Sequence, residues 1–122
     1  MDSDVQRELE VLASRDVRAE FILWAYGLFG SRPSDDDCNR PVHVVGYDGC
    51  YGPAGYVITV NGSPPRATVL IEPASGQVVA MRQDHVVRGS NYIGASLAAR
   101  RRYAEALEWL RRFGLRIPRR GY

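Results

Sequence analysis

Tyr56-Val57-Ile58-Thr59-Val60, Ala67-Thr68-Val69-Leu70-Ile71 and Gln77-Val78-Val79-Ala80-Met81 follow one another closely, and each is dominated by branched or other apolar side chains. Between them stand Asn61-Gly62 with Pro64-Pro65, and Pro73-Ala74-Ser75-Gly76, dense in residues that enter turns or accept positive φ. Short apolar runs punctuated by such chemistry predict strands joined by hairpins. Val42, Val44 and Val45 add a run upstream, with Asp48-Gly49 as its turn. The expectation is a four-stranded antiparallel meander.

On both sides of the meander the apolar period changes to that of a helix. Upstream, Ser3 and Gln6 have the spacing of a capping box, and Val5, Leu9, Leu12, Ala19, Leu23 and Tyr26 recur at helical intervals. This predicts a helix over 4–29, with Ser14-Arg15-Asp16 as a place where it could restart, closed by Gly27, Gly30 and Pro33. Residues 31–40 lack periodic apolar positions and read as an exposed loop. Downstream, Tyr103, Ala106, Leu107, Leu110 and Phe113 mark one face of a helix over 95–113, while Arg100, Arg101, Glu105, Glu108 and Arg112 mark the other. Glu108 and Arg112 are spaced for an ion pair, Gly114 suits the position just past the helix, and Pro118 blocks continuation. The fold expected is therefore α+β, an N-terminal helix, a four-stranded meander and a C-terminal helix, with the helices on one face of the sheet. Residues 1–114 form one domain and 115–122 a basic, mobile tail.

A chain of 122 residues with 45% hydrophobic and 25% charged side chains has the composition of a folded domain, not of a disordered or disulfide-scaffold chain. All sixteen basic residues are Arg, the pattern of a GC-rich genome, against fourteen acidic ones. They are unevenly placed: residues 1–94 carry eight Arg and twelve acids, net −4, and residues 95–122 carry eight Arg and two Glu, net +6. Met1-Asp2-Ser3-Asp4 has no positive charge, and the apolar window Phe21 to Phe29 is about half the ~20 residues a membrane helix needs. A cytoplasmic, bacterial protein with reduced Cys38 and Cys50, and no membrane contact, is expected.

Several constellations contain residue types that can carry chemistry. Cys50 or Cys38 with His43 or His85 as base, and Asp84 or Asp48 to orient it, has the types for nucleophilic catalysis but no local signature. Cys38, His43, Cys50 and His85 are a zinc set in number only, without closely spaced paired ligands. Asp35-Asp36-Asp37 lacks the alternating ligands and terminal Glu of a calcium loop. Gly46, Gly49, Gly52 and Gly55 are not followed by a helix that could cradle phosphate; they permit a tight connection carrying Tyr47 and Tyr51. No catalytic residue, metal or cofactor is expected.

Gly55-Tyr56-Val57-Ile58-Thr59-Val60 followed by Ala67 to Glu72, Pro73-Ala74-Ser75-Gly76 and Gln77-Val78 resembles the small immunity proteins of bacterial polymorphic-toxin systems. The likeness is to the YrhB-like type and to the hairpins of the nuclear-transport-factor-like type. It covers residues 40–112 in element order, with Glu72-Pro73 where the family has an aspartate and Ser63-Pro64-Pro65-Arg66 as a different approach to the strand. The resemblance implies a non-enzymatic cytoplasmic protein that neutralises a toxin or effector by occluding its active site, and it assigns no site residue by position. For such a protein Asp35, Asp36 and Asp37 would steer and contact a basic partner, with Tyr47 and Tyr51 as aromatic anchors. The alternative is a nucleic-acid-binding regulator using Arg100, Arg101, Arg102, Arg111 and Arg112 on the C-terminal helix. An exposed sheet edge could also support a homodimer.

Overall fold

In the computed structural model the described residues are 8–11, 15–47, 55–89 and 96–117; for 8–11, 15, 16 and 47 only the backbone is described. The chain is α+β, as its periodicities imply. Six strands form one antiparallel sheet in chain order: β1 (Glu8–Val11), β2 (Val42–Tyr47), β3 (Gly55–Val60), β4 (Ala67–Glu72), β5 (Gln77–Arg82) and β6 (His85–Arg88). Helix α1 (Arg15–Leu28) follows β1, the one-turn α2 (Asp35–Cys38) precedes β2, and α3 (Leu97–Arg112) follows the sheet.

The core lies between the two long helices and one face of the sheet. Register aligns Val44, Ile58, Val69, Ala80 and Val87 across five strands, and Val42, Val60 and Ala67 across three. Apart from the half-buried Val87 all of these are buried, and against them pack Phe21, Ile22 and Ala25 of α1 and Ala106, Trp109 and Leu110 of α3. The helices meet through an aromatic cluster in which Phe21 sits 5.8 Å from Trp24, 5.5 Å from Trp109 and 5.5 Å from Phe113. Trp24 Nε1 donates to Glu105 Oε1 at 3.0 Å and Arg112 Nη2 to Glu20 Oε1 at 2.9 Å, so polar contacts fix the same pairing at its rim.

Both long helices end the same way. Gly30 and Gly114 have φ of +74° and +75°, the left-handed region in which a glycine carries no Cβ penalty. Ser31 N–H then reaches the Tyr26 carbonyl and Leu115 N–H the Leu110 carbonyl, closing the last turn of each helix. The spacing Gly30 and Gly114 that marked the helix ends in sequence is thus explained by a specific hydrogen-bond motif.

Four expectations are corrected. The helix expected over 4–29 gives way to β1 at 8–11 and α1 from Arg15. Leu9 satisfies a helical period, but Leu9 and Val11 also alternate with glutamates, and pairing Leu9 with Val44 and Val11 with Val42 extends the sheet. The loop at 31–40 contains α2, capped by Ser34, whose Oγ accepts the Asp37 N–H at 3.1 Å. The meander has six strands, not four: β1 comes from the segment expected as helix, and β6 has only Val86 and Val87 between two polar ends and gives no run long enough to read. The Glu108 to Arg112 pair is replaced: Arg111 takes Glu108 at 3.1 Å, while Arg112 is drawn to Glu20 and lies 4.4 Å over the Trp109 ring. The chain also stays packed past residue 114. Leu115 and Ile117 border the core, and Tyr56 OH donates to the Arg116 carbonyl.

Candidate functional site

The side chains of the second face of the sheet form two rows. Val45, Val57, Leu70, Val79 and Arg88 make one; His43, Thr59, Thr68, Met81 and Val86 make the other. None of them joins the core, and among the described residues no helix packs on this face. Met81 and Val86 are 45% and 52% exposed, the remainder of the apolar positions being half-buried by their own neighbours. The register sets Glu8 beside Val45 and Glu10 beside His43, and Glu72 ends the same face of β4. A sheet solvated on one side usually alternates apolar with polar, whereas the second face of β3, β4 and β5 carries Val57, Leu70, Val79 and Met81 among Thr59, Thr68, Glu72 and Gln77, more apolar surface than a wholly solvated face needs. That signal was present in the sequence and points to this face.

At the end of the sheet where α2 meets the β3–β4 and β5–β6 turns lies a half-open cleft of about 550 Å³. Its walls include Tyr26, Arg32, Pro64, Pro65, Arg66 and Arg82, with the carboxylates Asp37 and Asp84. Asp37 is only 5% exposed, and its Oδ1 accepts Arg40 Nε and Arg66 Nε, each at 3.1 Å. Burial pushes this carboxyl up, but the hydrogen bonds of Arg66 and Arg40, the Arg66 charge and a backbone bond at Ser34 outweigh it and hold its pKa below the ordinary range. Tyr26 moves the other way, raised by burial and by the Asp37 charge. Arg82 is clamped by Asp84 at 3.0 and 3.2 Å, donates from Nη1 to Ser31 Oγ at 3.0 Å, and lies 6.0 Å over the Phe29 ring.

The expected partner residues do not form one cluster. Asp35 and Asp36 are exposed, but Asp37 turns inward and is consumed by its arginines. The backbone of Tyr47 is at the far end of β2 from α2, about 17 Å away along the strand, and Tyr51 lies outside the described residues. Of the α3 arginines, Arg102 donates to the Arg88 carbonyl, and Arg111 and Arg112 hold Glu108 and Glu20, leaving Arg100 and Arg101 without a counter-charge among the described residues.

The Cys38 thiol is pushed up by burial and then by the Asp35 and Asp37 charges, the opposite of what a nucleophilic thiolate requires. Cys50 lies outside the described residues. Among the described residues no group of three His, Cys, Asp or Glu could hold a metal ion, and no helix is long and apolar enough to cross a membrane. Sequence reasoning missed both the second sheet face and the cleft. The cleft gathers residues from 26 to 84, and no local motif announces it. Comparison with protein-family models, curated proteins and solved structures finds no match.

Proposed function

We propose that this protein is a non-enzymatic binding module of immunity or antitoxin type, which neutralises a basic protein partner by docking the second sheet face over it. The observation that supports the reading is the pair of rows on that face, apolar at its centre and uncovered by any described element. Five inter-strand gaps and strands of up to six residues give a footprint of roughly 24 by 20 Å, within a factor of two of the ~800 Å² that each partner buries in a standard interface. By register Glu8 and Glu10 stand on β1 beside Val45 and His43, and with Glu72 and Arg88 these positions sum to a net acidic charge among the described residues, which suits a basic occupant and disfavours nucleic acid.

The test begins with affinity capture on the tagged chain from the native cell, with nuclease-treated and untreated lysates in parallel. A stoichiometric protein that survives nuclease is expected; nucleic acid recovered instead would transfer the function to Arg100 and Arg101. The captured protein is then purified and its affinity measured against Met81→Arg and Met81→Glu, both at an exposed position. Arginine is expected to weaken binding by about tenfold or more and glutamate by clearly less. Equal, unchanged affinities would remove this face from the interface.

Asp35 and Asp36 do not belong to the second face but remain exposed charges that can steer a basic partner. The double variant Asp35→Lys, Asp36→Lys is expected to slow association about threefold or more and to flatten its dependence on salt, with dissociation unchanged. Stopped-flow or surface-binding kinetics at two ionic strengths measure this, and an unaltered association rate would exclude the pair from steering.

A further inference from the structure

The cleft at the end of the sheet carries an inference independent of the docking face. Three guanidiniums line it, and two of them already engage a carboxylate: Asp37 takes Arg66 together with Arg40, and Asp84 takes Arg82. Arg32 is exposed and has no counter-charge among the described residues. Arg66 is held by Asp37 through its Nε, and Arg82 by two hydrogen bonds to Asp84 and one to the Ser31 hydroxyl, so the wall is arranged before any ligand arrives. Pro64 and Pro65 also line the cleft, rigid apolar rings without a backbone N–H to satisfy. The volume, about 550 Å³, falls in the range of small-molecule sites.

The number of free guanidiniums decides which anion fits. Arg66 and Arg82 already hold a carboxylate, and Asp37 is shared with Arg40 as well. Arg32 is the one lining guanidinium without a counter-charge among the described residues, so it pairs with a single carboxylate, and the two carboxylates of the lining repel a dianion more than a monoanion. We propose that this cleft binds a small organic monocarboxylate, its carboxylate forked by Arg32 and its hydrocarbon part lying on Pro64 and Pro65. The planar guanidinium of Arg32 matches a carboxylate in two parallel hydrogen bonds, and the proline wall adds non-directional burial that a bare inorganic anion cannot use.

The test is a nuclear magnetic resonance titration of the ¹⁵N-labelled full chain with three probes: benzoate, benzyl alcohol and inorganic phosphate. Benzoate is expected to give saturable shifts at Arg32 Nε and at the amides of Arg66, Gln83 and Asp84. Benzyl alcohol, which keeps the ring and lacks the charge, is expected to give none that saturate, and phosphate to bind more weakly than benzoate. Arg32→Gln is expected to reduce benzoate affinity by about tenfold or more, whereas Arg100→Gln, on α3, leaves it unchanged. Arg32 is exposed and unpaired among the described residues, so the variant is expected to keep a dispersed spectrum, which the same experiment verifies. Shifts that stay linear in benzoate, tighter binding of phosphate, or an affinity unaffected by Arg32→Gln would each overturn the assignment.

Discussion

Phe21→Ala is expected to destabilise the fold by about 3–5 kcal/mol, enough to unfold a domain whose total stability lies in the usual range of about 5–15 kcal/mol if it sits near the lower end. Phe21 has no exposed surface and is the ring shared by both helices, with Trp24 on its own helix, Trp109 on α3 and Phe113 just past its end all within 6 Å. Its contacts with Trp109 and Phe113 are edge-on, at interplanar angles of 82° and 71°, the geometry in which a ring edge faces a neighbouring π-cloud. Truncation removes these contacts and leaves a cavity whose walls, belonging to two helices and the sheet, cannot all collapse inward. Leu23→Ala, two residues away in α1 but 48% exposed, is the matched control and is expected to cost less than about 1 kcal/mol. Urea unfolding with a common m-value measures both. A Phe21→Ala loss within about 1 kcal/mol of the control would mean that the helix pairing does not depend on this ring.

What could be read from the chain and what could not divide along the range of the interactions involved. The strands at 55–60, 67–72 and 77–82 and the helix at 97–112 announce themselves because each carries its own period and its own stop signal. Residues 8–11 do not: Leu9 serves a helical count as well as an alternating one, and only the presence of Val44 and Val42 on β2 decides between them. Asp35-Asp36-Asp37 looks like one acidic unit, yet a single helical turn aims the three in different directions. The direction taken by Asp37 follows from Arg66, 29 residues downstream. The α3 arginines present the same difficulty, since Glu20 and the Arg88 carbonyl, which engage Arg112 and Arg102, belong to other elements. Both candidate sites are built from such distant neighbours. The apolar residues that break the alternation of β3 to β5 are the one local trace, and they mark the second sheet face without saying what lies on it.

Asp37→Asn tests the charged cleft from the inside, and its expected cost is about 2 kcal/mol near neutral pH, the scale of a hydrogen-bonded group that loses its charge while its partners keep theirs. The Asp37 side chain is 8% exposed, while those of Arg40 and Arg66 are 34% and 47% exposed. Both arginines can therefore recover water when the carboxylate is neutralised, which keeps the cost below that of breaking a wholly buried pair. The dependence on pH follows from the direction of the shift. The folded-state pKa of Asp37 lies below its ordinary value, so the folded form holds the proton less tightly than the unfolded chain. Its contribution is complete above the unfolded-state value, near pH 4, and is lost as pH falls through the lower folded-state value. The stability gap between the native chain and Asp37→Asn is accordingly expected to be constant from about pH 7 down to pH 5 and to narrow below pH 4. Urea unfolding of both proteins across pH 2.5 to 7 reads that gap directly. A gap that persists undiminished into acid would mean that Asp37 acts by its shape and hydrogen bonds alone, and that Arg66 is held at the cleft by something other than its charge.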